Sequence, residues 1–426
     1  MLYSAYQAMR DGVGPWQHAA GWAADWMGFG LRRLGEWPAP SGLREVAAAS
    51  EVFSRLKLTH RRPSFHINEV RIGAPGEERS VAVRERVVQR SAFGTLLRLE
   101  RVDLVDDETG AQTGAGAEAA LPRVLIVAPL SGHFATLLAD TARTMLEDHD
   151  VYITDWHNAR MVPLREGRFG MAEYIEHLIG FIETLGAHTH LVAVCQPCVP
   201  VLAAVALMAQ REHPAQPRSM TLMAGPIDCR INPTGVNVLA TSKPIEWFEQ
   251  NLVHRVPWRY PGAHRKVYPG FLQLAAFMAM NPERHKKAFI DLYGHLLKGD
   301  LDKAQATTRF YDEYFAVNDL PAEFYLETVA QVFQDYTLAK GELVVNGTLV
   351  DTRAIRRTAL FTVEGERDDI CSIGQTVAAH DLCSGIKPYL KNHHVQLGVG
   401  HYGVFSGRRW RQQIYPRVRE MIHMVN

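Results

Sequence analysis

Residues 188–212 restrict the fold more than any other stretch of the chain. An apolar, β-prone run from Leu191 to Val194 reaches Cys195, and two residues later an apolar helical run begins. That is the outline of a nucleophile elbow: a strand, one exposed nucleophile on a sharp turn, then a helix whose N-terminus faces the reacting group. The usual box has Ser at its centre and Gly two residues away on either side. Here it reads Ala193-Val194-Cys195-Gln196-Pro197, so the nucleophile is a thiol and both flanking residues are larger than Gly. A thiol attacks carbonyls as the thiolate, which the partial positive charge at the start of the next helix favours. Pro197 and Pro200 fall near that helix start, where a missing N–H costs little. The backbone N–H of Gln196 is one oxyanion donor in this reading.

A hydropathy scan would flag Leu191–Ala209, nineteen residues without a charge, as a membrane span. Gln196, Pro197 and Pro200 in its first half suit a buried strand, turn and helix better. Met1-Leu2-Tyr3-Ser4-Ala5-Tyr6 has no basic region ahead of an apolar one, so no signal peptide is read. Lys+Arg and Asp+Glu balance at 46 each, which removes the global basic field that recruits nucleic acid. Five cysteines are too few, and odd in number, for a disulfide framework, so a cytoplasmic, reducing setting fits.

Around the elbow the chain alternates short apolar strands with helices. Strands are expected at Ser80–Gln89, Thr95–Val105, Arg123–Ala128, Val151–Thr154, Leu191–Val194 and Ser219–Met223, with Asp106–Ala120 a loop. Helices are expected at Ala135–Asp148, Met171–Leu185 and Val199–Arg211. The pattern stops after Gly225-Pro226 and resumes with strands at Thr358–Val363 and His393–Leu397 and helices at Ser372–Leu382 and Arg409–Met424. This is an α/β chain, a mostly parallel sheet with helices on both faces, in the α/β-hydrolase order. Its parts are an N-terminal helical, aromatic-rich extension over 1–69, a first core part over 70–228, a helical cap over 229–350 after the sixth core strand, and a second core part over 351–426. Seventeen of the 39 Phe, Trp and Tyr residues fall in 241–340, an excess that suits a cap with a greasy cleft as well as its own core. In the extension Tyr3, Tyr6, Trp16, Trp22, Trp26 and Phe29 recur at a helical period. They form a face packed on the core, or one that touches an apolar surface or another subunit.

In chains of this order the acid and the histidine follow the nucleophile. Gly398-Val399-Gly400-His401-Tyr402-Gly403 comes after the last expected strand, and its glycines suit a tight loop presenting His401 as the base. Asp368 in Val363-Glu364-Gly365-Glu366-Arg367-Asp368-Asp369 is the acid that orients it, with Asp369 solvated or capping a helix. The second oxyanion donor belongs to the loop Pro129-Leu130-Ser131-Gly132-His133, with Ser131 as the choice and His133 as an exposed loop residue.

Four elements together carry a resemblance: Val194-Cys195-Gln196-Pro197 with a downstream Pro; Thr154-Asp155-Trp156; Val363-Glu364-Gly365-Glu366 followed by Asp368-Asp369-Ile370; and Gly400-His401-Tyr402-Gly403. With them the chain resembles the intracellular polyhydroxyalkanoate (polyhydroxybutyrate) depolymerases over nearly its whole length. The resemblance implies a Cys195–Asp368–His401 triad, amorphous polyester in intracellular granules as substrate, and 3-hydroxybutyrate monomer and oligomers as products. It calls for no cofactor and no metal. Polyester synthases share such a triad, but their box carries Gly around the Cys. A thioester can also be cleared by an alcohol or a thiol, so an acyltransferase or thiolysis enzyme using coenzyme A stands as the alternative, as does a granule-binding protein without catalysis. Whether the chain forms a homo-oligomer is left open. Cys195-Gln196-Pro197-Cys198 is also a C-x-x-C pair, but a redox reading leaves the Asp and His loops without a task. Cys198 is read as a small helix residue whose spacing also raises a reversible disulfide with Cys195.

Overall fold

The computed structural model describes residues 2–33, 41–73, 76–102, 121–280 and 282–426. The loop expected at 106–120 and the side chain of Phe29 lie outside what is described. A nine-stranded sheet organises the rest. Its strands are β1 Glu69–Ile72, β2 Arg79–Arg90, β3 Gly94–Val102, β4 Arg123–Val127, β5 Asp150–Trp156, β6 Thr189–Val194 and β7 Ser219–Met223. After a long insertion come β13 Ala359–Gly365 and β14 Lys391–Gln396, and the spatial order is β1-β2-β3-β5-β4-β6-β7-β13-β14. The first three strands run antiparallel to their neighbours; the six from β5 to β14 are parallel. This is the α/β-hydrolase order with one further edge strand, β1, so the insertion follows the seventh strand of the sheet.

The strand period of two divides the core into two layers. Leu125, Val127, Leu191 and Ala193 face one apolar cluster, which is filled by α4 (Met171–Leu185) and α5 (Cys198–Gln210). Val124, Ile126, Val192 and Val194 face the other, filled by α3 (Ala139–Met145) and the closing helix Tyr415–Val425. Strands buried on both faces need continuous apolar runs, which is what β4 and β6 supply.

The insertion is richer than the expected helical cap. It holds α6 Gly235–Thr241, α7 Ile245–Leu252, α8 Gly270–Met280, α9 Pro282–Lys298, α10 Leu301–Tyr314 and α11 Ala322–Thr328. It also holds a small antiparallel sheet of β8 His254–Arg255, β9 Lys266–Tyr268 and β10 Leu320–Pro321, and a hairpin of β11 Val344–Val345 with β12 Thr348–Leu349. The helix expected over Ser372–Leu382 is regular only at Ala379–Leu382. Before it, the N–H groups of Gly374, Thr376 and Val377 donate to the buried carboxylate of Glu364, which draws them away from helical carbonyls.

At the N-terminus α1 spans Leu2–Arg33 and lies along α2, Ser41–Arg55. The expected aromatic face divides. Tyr3 and Tyr6 are buried, Tyr6 stacking on Phe271 at 3.8 Å between ring centroids, whereas Trp16, Trp22 and Trp26 point to solvent.

Candidate active site

The six parallel strands present their C-terminal ends on one edge of the sheet, and the chemistry gathers there. Cys195 follows the last residue of β6 with φ 68°, a left-handed conformation that an L-residue holds only when its surroundings enforce it. They do so through hydrogen bonds: Cys195 N–H donates to the Met223 carbonyl (2.8 Å), and Cys198 N–H donates to the Cys195 carbonyl (3.1 Å). The room that flanking glycines usually provide comes from elsewhere. Gly225 lies beyond the end of β7, and a Cβ added to it would come within 2.2 Å of the Cys198 Cβ. One glycine on the neighbouring strand end thus makes space for an elbow flanked by Ala193 and Pro197.

His401 opens a short 3-10 turn after β14, reached through Gly398 at φ 73°. Asp368 lies in the turn after β13. His401 Nδ1 donates to Asp368 Oδ2 at 2.8 Å, and Asp368 Oδ1 accepts the N–H groups of Ile370 (2.9 Å) and Cys371 (2.8 Å). The carboxylate is fully engaged and buried; Asp369 is exposed. Burial pulls the His401 pKa down, but the charges of Asp368 and Cys195, with hydrogen bonds to both, raise it well above the ordinary imidazole value. An imidazole in that setting holds its proton on Nδ1 toward the acid and turns the other nitrogen to the thiol. The residues singled out as nucleophile, acid and base, about two hundred positions apart in sequence, are thus in one place.

The peptide N–H that reaches the elbow belongs to Leu130, which donates to the side-chain oxygen of Gln196 at 3.3 Å. Ser131 is the next residue along this loop. The Thr154-Asp155-Trp156 element explains how the loop is held. Thr154 Oγ1 accepts the Ala128 N–H at 2.9 Å, and the Trp156 indole donates to the Ala128 carbonyl at 2.9 Å. Between them Asp155 is buried beside Arg62 (2.6 Å), and burial raises its carboxyl to about 6. His133 is not an exposed loop residue. It is buried, its Nε2–H donates to the Tyr314 carbonyl (3.1 Å), and burial pushes its imidazole down to about 4. It ties the loop to the insertion.

Cys198 is fully buried beneath the elbow, its thiol directed to the carbonyls of Ala193 (3.5 Å) and Met223 (3.7 Å). Burial holds that thiol well above its usual pKa, so it stays protonated and serves as a small packing group. All five cysteines are free. From the insertion, α10 contributes Phe310 and Tyr314, whose rings lie 6.2 and 6.3 Å from Tyr402, the residue after His401. Most of the aromatic excess packs within the insertion itself; this part of it walls the site.

Residues 224–426 match the family model described as PHB de-polymerase C-terminus. The resemblance read from the motifs is borne out over that part of the chain, which carries Asp368 and His401. Among curated proteins none matches the chain. Solved structures to which the chain is similar include a carboxylesterase of Nitrososphaera gargenis at 13% identity, covering 80% of this chain and 98% of that one with a TM-score of 0.41. A monoacylglycerol lipase of Paleococcus ferrophilus is 12% identical over 71% of this chain and 96% of its own, with a TM-score of 0.41. Naproxen esterase of Bacillus subtilis is 14% identical over 91% and 99%, with a TM-score of 0.38. Among the described residues no helix is long and apolar enough to cross a membrane; the uncharged run at 191–209 is most of β6, the elbow and all but the last residue of α5.

Proposed function

We propose that the protein is a cysteine-dependent depolymerase that hydrolyses the ester bonds of a poly-3-hydroxybutyrate-type storage polyester at cytoplasmic granules. The observation that carries the reading is the left-handed Cys195 at a strand–helix elbow beside the His401–Asp368 pair, 2.8 Å apart. The Cys195 thiolate attacks the ester carbonyl, and the N–H groups of Gln196 and Leu130 receive the negative charge that develops on its oxygen. The Gln196 side chain must release Leu130 for this. As the tetrahedral adduct collapses, the His401 imidazolium gives its proton to the departing alkoxide, which leaves as the hydroxyl end of the shortened chain. An acyl-thioester remains on Cys195. His401, neutral now, takes a proton from water as the water attacks the thioester, and the acid departs while the thiolate reforms. Asp368 keeps the tautomer and stabilises the imidazolium throughout. Residues 229–350 act as the cap over this cleft, with 1–69 as an extension outside it.

The test is to incubate the protein with amorphous polyester particles and titrate the acid released. Cys195→Ala should abolish release and leave the melting temperature unchanged, since the side chain is half-exposed. A quenched reaction of the parent should carry one acyl group on the peptide containing Cys195. Full hydrolysis by Cys195→Ala would refute the nucleophile, and release that required coenzyme A would replace hydrolysis by thiolysis.

A further inference from the structure

Helix α1 shows two faces of different character. Its inner side is anchored: Tyr3 donates to the buried Asp319, Tyr6 meets His60 at 3.0 Å, Gln17 donates to the Leu56 carbonyl at 3.0 Å, and Gly21 lies close against Ser54. Its outer side is a seam at spacings of three and four, Leu2, Ala5, Met9, Gly12, Trp16, Ala19, Ala23 and Trp26, every member of it exposed. Trp16, Trp22 and Trp26 are 73%, 73% and 70% exposed, and Trp258, beside the first turns of the helix, is 82% exposed. Ala19 and Ala23 floor an apolar hollow of about 460 Å³ between Trp22 and Trp26. The seam runs about 36 Å at 1.5 Å per residue. A patch of this size and composition marks a contact surface.

We propose that this face of α1 docks the protein on the surface of its polyester; the occupant rests on the function proposed above. Charge argues for it. No charged residue lies on the seam; the three within Leu2–Trp26 are Arg10, Asp11 and Asp25, and Asp11 is paired with Arg259 at 2.8 Å, so the face offers an anionic lipid surface no row of cations. A polyester carries no charge. Hydrogen-bonding chemistry argues the same way. An indole N–H is a donor with no acceptor capacity, and a polyester surface is all acceptors, ester carbonyls among CH₂ and CH₃ groups.

The experiment uses the full chain with Cys195→Ala, so that adsorption is read without hydrolysis, and adds Trp16→Ala, Trp22→Ala and Trp26→Ala. All three side chains are exposed, and circular dichroism checks the fold. Partitioning to amorphous poly-3-hydroxybutyrate particles should fall roughly a hundredfold, because each Trp buries about 150–250 Å² on contact. With Cys195 restored, the triple variant should lose particle hydrolysis in proportion while cleaving a soluble 3-hydroxybutyrate trimer at the parent rate. Unchanged adsorption overturns the proposal. So does binding to phosphatidylglycerol vesicles in preference to particles, or a parent dimer that the triple variant dissociates with adsorption intact. A parent that adsorbs through these residues but releases no acid leaves the docking face standing and removes the depolymerase reading instead.

Discussion

Helices α5 and α1 are both apolar along most of their length, and they meet opposite fates. From Cys198 to Met208 every residue of α5 is buried, between the sheet and α4. In α1 the largest apolar side chains, three tryptophans, stand in solvent while smaller or polar ones, among them Tyr3, Tyr6, Gln17 and Gly21, make the contacts. Hydrophobicity alone therefore does not say what a helix packs against. The neighbours decide it: α5 follows a strand at the centre of the sheet and is covered on all sides, whereas α1 is held along one side only.

The contrast is most exposed to test at the elbow end of α5. Asp368→Asn should lower kcat/KM by on the order of a thousandfold or more, as the imidazole loses its orienting carboxylate. The sign of the pH effect follows from the raised His401. Its interactions stabilise the fold fully below about 6.5, the ordinary value, and are lost as pH rises through the higher folded value. Asn at 368 should thus move the alkaline limb of the kcat/KM profile to lower pH, and a limb that stays in place would break the ion-pair account. Next in size is packing. Leu202→Ala, in the fully buried α5, should cost about 2–5 kcal/mol in urea unfolding. Tyr6→Phe removes one buried hydrogen bond to His60 and should cost about 1 kcal/mol, a measure of how firmly α1 is anchored. The smallest effect belongs to Trp22→Ala, within about 0.5 kcal/mol, since its side chain is exposed. A cost near that of Leu202→Ala would mean that α1 and α5 are packed alike after all.

The elements that local pattern governs were legible in the chain. Met171–Leu185 forms a helix over the same bounds as its periodicity indicates, and β4, β6 and β7 lie where short apolar runs place them. So was the order of Cys195, Asp368 and His401, because each follows a strand and a parallel sheet brings strand ends together. What was not legible depends on who stands opposite whom. Gly225 reads as a turn residue, yet it clears space for Cys198, 27 positions earlier. Leu130 looks like any apolar loop residue, yet its N–H donates to the side chain of Gln196, 66 positions on. His133 carries a polar ring into a buried place because Tyr314, 181 residues on, offers it a carbonyl. Glu364 unwinds the start of an expected helix by collecting three N–H groups on its carboxylate. The small β8–β10 sheet joins two- and three-residue strands far apart in sequence, too short for any period to register.

By itself, then, the amino-acid sequence determined the layered architecture, the placing of a thiol on an elbow and the chain order of its partners. These follow from the period of apolar residues and from turn chemistry, which act over a few positions. The tertiary structure alone decided how an elbow without its glycines is accommodated, which N–H faces it, and which apolar helix is covered. Those are matters of steric fit and of the partner each polar group finds, and both arise only when distant segments meet.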